Sequence, residues 1–291
     1  MQVSEWQSKG ELIEVAKKHL FVIDSDKQNL ANKPLLCILH GFPTSSFDYW
    51  KVLEQLQQKF RVVIHDHLGF GFSDKPLDYS YSLIDQADMA LALWKQLKIK
   101  QAYILAHDYG TSILTEILVR DNQACCPIKI QKVALCNGSM HIELAKLKLM
   151  QKLLRNRLFG HLIARFASKP TLKKNLRDTF YDKSQLSNQE LDGIWEMMNF
   201  NQGRQVLAKI SQYTYERETF WHRWIGALQE TEIRLEIIWP ENDPIAVAQM
   251  AKVILRETKN SDLYWLKKTG HFPMLEAPEI WTNTVCERLL R

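Results

Sequence analysis

No run of about 18 apolar residues occurs in the 291-residue chain, so no membrane-spanning helix is expected. The N-terminus, "MQVSEWQSKGELIEV", has no basic start leading into an apolar stretch, so no secretory signal is expected. Cysteine is scarce and odd in number: Cys37, Cys125, Cys126, Cys136 and Cys286, with no metal-ligand spacing among them. Cys37 and Cys136 fall in apolar runs, where a thiol acts as a small hydrophobe. A reducing, cytoplasmic setting is therefore expected. "GFGF" at 69–72 lacks the G-x-G-x-x-G spacing, and no metal, nucleotide or flavin motif is present, so no cofactor is expected. The formal charge of +5 is mild, and no basic-aromatic module accompanies it, so no nucleic-acid partner is expected. Internal repeats and low-complexity segments are also missing.

What is there belongs to an ordinary globular protein, 46% hydrophobic and 24% charged. The length suits one large domain, or one domain carrying an insertion. "ELIEV" and "LFVID" suggest an antiparallel pair. "PLLCILHG" (34–41) is a continuous apolar run, as in a strand buried on both faces. "SSFDYWKVLEQLQQKF" has helical spacing, with Ser45 or Ser46 as cap, and "RVVIHDH" is the next strand. "SLIDQADMALALWKQLKI" is helical, with Ser82 as N-cap. "AYILAHD" is a strand before the helical "GTSILTEILVRD", and "IQKVALCNG" is a sixth strand. Strands alternating with helices imply a mostly parallel central sheet flanked by helices.

That alternation then stops. From 140 to 222 only helices are expected, and "RLEIIWPENDP" (234–244) restores the strand pattern. The chain divides into a first core part (1–139), a helical cap inserted after the sixth strand (140–222), and a second core part (223–291). The cap is expected to roof a site. It carries a basic run from Lys146 to Arg177, with leucines at 144, 147, 154, 158 and 162 near helical spacing. Such a run suits a solvated outer face; the alternative is an interfacial helix in weak contact with anionic lipid.

Parallel sheets place function at the carboxyl ends of their strands. Asp108 ends one strand in "ILAHDYGTSIL", Asp243 follows another in "WPENDP", and His271 follows the last in "KKTGHFP". Burying a lone carboxylate costs several kcal/mol, so Asp108 needs a partner. Each residue alone has a plainer use: Asp108 as an N-cap, Asp243 as a turn former with Pro244, His271 as a surface histidine. Together, the order nucleophile, acid, histidine is that of a catalytic triad on a strand-to-helix elbow. Gly110 would let that elbow close, and the backbone N–H of Phe42 in "LHGFP" could face the same point. Asp66 is expected to bond loop backbone, and His40 and His107 to be packed beside the site.

The segments "HGFPTSSFDYW", "DHLGFGFSDKP", "AHDYGTS", "WPENDPIAV" and "TGHFPMLEAPE" make the chain resemble the α/β-hydrolase fold, in its epoxide hydrolase and haloalkane dehalogenase group. The resemblance implies that Asp108 attacks an electrophilic carbon to form an alkyl ester, which water activated by His271 and Asp243 then hydrolyses. It also implies an oxyanion hole from the N–H groups of Phe42 and Tyr109, and a cis bond before Pro43. The implied substrate is small and apolar. Dehalogenases of this group carry tryptophan after the nucleophile, where Tyr109 stands. Epoxide hydrolases use cap tyrosines as acids; the cap offers Tyr181, Tyr213 and Tyr215, while His222 stands in "FWHRW" where tyrosine is expected. Trp195 is a further candidate for lining the substrate pocket. An epoxide-hydrolase-like reaction ranks first and dehalogenation, or hydrolysis of another alkyl electrophile, second. A binding protein that holds a ligand or lipid without turnover is the alternative of another class.

Overall fold

The computed structural model describes all 291 residues. Eight strands form one sheet: β1 (Glu11–Val15), β2 (Lys18–Asp24), β3 (Leu35–Leu39), β4 (Arg61–His65), β5 (Gln101–His107), β6 (Lys129–Cys136), β7 (Leu235–Pro240) and β8 (Ser261–Leu266). Their order is β1-β2-β4-β3-β5-β6-β7-β8. β1 and β2 form the expected antiparallel pair, β2 joins β4 antiparallel, and the remaining neighbours are parallel. β3, β5, β6 and β7 are apolar runs because both faces of the sheet are covered. Cys37, Leu39, Ile104, Ala106, Val133 and Leu135 face one helical layer. Leu36, Ile38, Leu105, Ala134 and Cys136 face the other. Truncating one of these fully buried leucines or isoleucines to alanine would cost about 2–5 kcal/mol.

Strand order reverses between β3 and β5, which pair with Leu39 opposite Ala106. At such a switch point, the loops leaving two adjacent strands diverge and open a crevice at their carboxyl ends. The β3 loop contains His40 to Pro43, and the Phe42–Pro43 bond is cis. The β5 loop is the elbow at Asp108, followed directly by the helix Tyr109–Asn122. A Cβ on Gly110 would lie 2.2 Å from the Leu39 carbonyl oxygen, so only glycine lets this helix start so close to β3.

Side-chain caps mark some of the helix starts. Ser82 accepts from the Asp85 N–H at 3.0 Å and caps the helix Leu83–Gln96. "SSFDYWKVLEQLQQKF" divides into a 3₁₀ turn, Ser46–Tyr49, and a short α-helix, Leu53–Lys59, with Ser45 capping the first. Asp66 bonds loop backbone as expected, accepting from Ser46 and Phe72 N–H at 2.8 Å each.

Only helices occur between β6 and β7, from Ile142 to Glu230. The basic stretch is not one long helix. It breaks into Leu149–Leu154, Gly160–Phe166 and Lys169–Arg177, and between the first two the Asn156 side chain accepts from the Leu158 and Phe159 N–H groups and turns the chain. The leucines at 144, 147, 154, 158 and 162 therefore do not share one face, and Leu154 points inward. Position 222 lies inside the helix Trp221–Glu230, which is bound to the sheet-flanking helix Tyr109–Asn122. Buried Glu116 fastens the two, accepting from Arg223 twice and from Trp224 Nε1, each at 2.9 Å.

Candidate active site

Asp108, Asp243 and His271 leave the carboxyl ends of β5, β7 and β8 and meet. His271 Nδ1–H donates to Asp243 Oδ2 at 2.7 Å, and His271 Nε2 lies 3.5 Å from Asp108 Oδ2. All three are buried. Asp108 has φ 47° and ψ −110°. A residue with a Cβ holds such a conformation at a cost of about 1–3 kcal/mol, and it aims the carboxylate out of the strand end. The Phe42 N–H donates to Asp108 Oδ1 at 2.8 Å. The elbow turns at Asp108, so Tyr109 is the first helical residue and its N–H has no intrahelical acceptor.

Asp243 is held from several sides. Its Oδ1 accepts from Ile245 and Ala246 N–H at 2.7 and 2.9 Å, and its Oδ2 also accepts from Asn137 Nδ2 at 3.0 Å. Asn137 directly follows β6 and donates as well to the His271 carbonyl, 2.8 Å away. His107 Nε2–H reaches the same carbonyl at 2.8 Å. The His271 N–H donates to the carbonyl of Thr179, from the helical insertion, at 2.8 Å, so both core and insertion fix the histidine.

Electrostatics separate the histidines. Burial favours neutral His271, but the charge of Asp243 and the hydrogen bonds to Asp108 and Asp243 outweigh it, pushing His271 up to about 10. It therefore rests as an imidazolium between two carboxylates. Burial raises Asp108, yet the hydrogen bond and charge of His271, then the charge of Arg217, hold it below the usual carboxylate range. His40 and His107 are neutral, pushed down to about 4 by burial.

A cavity opens beside His271. It is lined by Phe42 and His271 below, and by Leu154, Leu172, Leu176 and Met198 of the helical insertion above. None of the cap residues expected at the pocket lines this cavity; Tyr213 alone packs beside the site. It is buried, its ring centroid lies 5.6 Å from that of Phe42 and 5.1 Å from that of Tyr109, and burial, then the charge of Asp108, raises its hydroxyl. The others lie elsewhere, and Tyr181 is exposed. Tyr215 stacks under the guanidinium of Arg155, 3.8 Å from the ring centroid, on the outer side of the insertion. Trp195 lies under Arg204, and exposed His222 lines a separate surface groove with Phe220 and Arg223.

Two residues at the site carried no sequence signal that separated them from ordinary ones. Asn137 is a strand-end asparagine like many turn formers. Arg217 is a charged residue in the polar-looking "YERETF", yet it is fully buried. Its Nε donates to Ser112 Oγ at 2.6 Å, its Nη2 to the Asp108 carbonyl at 3.3 Å, and its guanidinium lies 4.5 Å over the Tyr213 ring.

An eight-stranded, mostly parallel sheet with this elbow defines a class, and comparison agrees. Residues 34–278 match the model of the alpha/beta hydrolase fold family, and the chain belongs to that family. It is a hydrolase that acts with water on a small molecule. Among its relatives, LipZ of Mycobacterium tuberculosis is 32% identical over 288 residues, covering 99% of this chain and 98% of LipZ. The human mesoderm-specific transcript homolog protein is also 32% identical, over 96% of this chain and 85% of its own. Among solved structures, AncHLD2, an inferred ancestral haloalkane dehalogenase, superposes with a TM-score of 0.79 at 17% identity, covering 96% of this chain and 98% of its own. No helix is long and apolar enough to cross a membrane.

Proposed function

We propose that this chain hydrolyses a small apolar epoxide through an ester formed on Asp108. The observation that carries the reading is the division of labour between the two Asp108 oxygens. Oδ1 accepts from Phe42 N–H, while Oδ2 faces His271 Nε2. Oδ2 attacks an epoxide carbon, the ring C–O bond breaks, and the alkoxide takes the Tyr213 proton. Burial and the Asp108 charge disfavour a tyrosinate, so Tyr213 regains a proton from the His271 imidazolium.

The same step prepares the next one. The ester on Asp108 has no charge, so His271 loses one of the two carboxylates that raise its pKa and rests more readily as a neutral base. It takes a proton from water, and the hydroxide oxygen attacks the ester carbonyl carbon. The oxyanion forms on Oδ1, between the N–H groups of Phe42 and Tyr109. On collapse the leaving alkoxide takes the proton that His271 drew from water, the acid left on Asp108 returns its proton to His271, and the diol departs with the resting site restored, so epoxide and water are consumed one for one. A departing halide finds less support, since neither Phe42 nor Tyr109 has a side-chain N–H to receive it. All five cysteines are free.

A panel of epoxides, haloalkanes and simple esters tests the reading, with wild type beside Asp108→Asn and mass analysis to exclude deamidation. Diol formation by wild type alone is expected. Haloalkane turnover in place of epoxide would move the assignment to dehalogenation. Ester hydrolysis that survives Asp108→Asn would remove Asp108 as nucleophile. Binding without turnover would favour a non-catalytic ligand carrier.

A further inference from the structure

The helical insertion has an outer face that hydrolysis does not explain. Residues 144–177 contain ten lysines and arginines and no aspartate or glutamate. The whole chain carries +5, so everything outside this stretch is net −5. Exposed apolar side chains crowd the same place. Thirteen large hydrophobic side chains are exposed over the whole chain, and six of them fall within residues 149–166: Leu149, Leu153, Leu158, Phe159, Leu162 and Phe166. Leu149, Leu158 and Phe166 are 72%, 73% and 78% exposed. Crowded apolar exposure of this kind marks an interaction surface.

We propose that this face docks on an anionic lipid bilayer. Lys146, Lys152, Arg157 and Arg165 are exposed among the leucines and phenylalanines. The ion pairs of this stretch use Arg155, Lys169 and Lys173 instead, leaving those four cations without acidic partners. Apolar side chains that enter the headgroup boundary, ringed by cations that meet anionic headgroups, form an interfacial anchor. A second copy of the chain fits the face poorly. A two-fold contact sets the same patch against itself, and here it would oppose two acid-free basic stretches.

The helix Leu149–Leu154 joins this face to the cavity. Met150, Gln151 and Leu154 line the cavity, while Leu149, Lys152 and Leu153 of the same helix point outward. Ala167 and Ser168 line the cavity directly after exposed Phe166. The docked face therefore borders the route to Asp108, and the substrate class it serves is an apolar electrophile dissolved in lipid. The docking stands on the insertion alone; the substrate rests on the epoxide reading.

Flotation with vesicles tests it, using phosphatidylcholine alone and phosphatidylcholine with 30 mol% phosphatidylglycerol (~0.1 M salt, where surface charge is still felt). Wild type should float with the anionic vesicles, far less with the neutral ones, and less as salt rises. Leu158→Ser with Phe166→Ser, and separately Arg157→Glu with Arg165→Glu, should each weaken binding at least tenfold. Their melting curves and their rates on a water-soluble epoxide should match wild type. Failure of wild type to float, or equal flotation of the variants, overturns the proposal. A concentration-dependent dimer that Phe166→Ser abolishes overturns it in favour of a second copy. Flotation without any epoxide turnover leaves the docking standing and removes the epoxide reading.

Discussion

Replacing Asp243 with asparagine keeps the shape of the site and removes one charge. Four donors converge on this carboxylate: His271 Nδ1, Asn137 Nδ2, and the N–H groups of Ile245 and Ala246. An amide offers one oxygen. If that oxygen stays with the two backbone N–H groups, the amide NH₂ faces His271 and Asn137, and the imidazole must present a bare nitrogen to it. A buried donor left without an acceptor costs about 1–3 kcal/mol, so Asp243→Asn should be destabilised by that order at pH 6. The wrong tautomer at His271 should slow turnover on the order of 10⁴-fold, the size of this effect in a serine-protease triad.

The pH dependence carries a sign. His271 is raised to about 10 in the folded chain, against about 6.5 in an unfolded one. Its favourable interactions are fully present below pH 6.5 and are lost as pH rises through 10. Over that window wild type should lose a few kcal/mol of stability from this group. Asp243→Asn removes the largest raising influence and should lose much less. Urea unfolding at pH 6 and pH 10, with NMR titration of the imidazole, reads both effects. An unchanged His271 titration and a wild-type rate in Asp243→Asn would refute orientation and charging by Asp243.

Other perturbations probe the surroundings. Arg217→Met removes the cation beside Asp108 and its bond to Ser112, so Asp108 should titrate at higher pH and the acid limb of kcat/KM should shift upward. An unmoved limb would make Arg217 purely structural. Tyr213→Phe should slow epoxide opening about 10²–10⁴-fold, while an ester substrate that needs no acid keeps its rate; equal losses on both would point to packing damage. Gly110→Ala would press a Cβ against the Leu39 carbonyl, so thermal melting should show marked destabilisation, and a wild-type melting temperature would contradict the close approach of helix and strand.

The sheet was legible because fully buried strands must be continuous apolar runs, as in "PLLCILHG" and "AYILAHD". The meeting of Asp108, Asp243 and His271 was legible because three ionisable residues, each following a strand-like run and in triad order, are more than capping and turn formation require. The helical insertion was less so. Helical spacing in "ELAKLKLMQKLLRNRLFGHLIARFA" hides the turn that Asn156 makes with its own side chain. Aromatic identity did not reveal direction: Tyr213 and Tyr215 are two residues apart on one helix and face opposite environments. Asn137 and Arg217 act through partners distant in sequence, and only the folded chain brings those partners near.

The covalent ester on Asp108 is the central claim, and His271→Gln tests it most directly. Ester formation needs Asp108 Oδ2 and a positioned electrophile, whereas its hydrolysis needs a base for water. Losing that base costs about 10²–10⁴ in rate, so the second step should lag far behind the first and the ester should accumulate. After mixing with an epoxide that wild type turns over, intact-mass analysis should show one whole substrate added, mapped to the peptide containing "ILAHDYGTSIL". A haloalkane would add its mass less the hydrogen halide. Loss of turnover in His271→Gln with no adduct at any time would contradict the account and require direct attack by water.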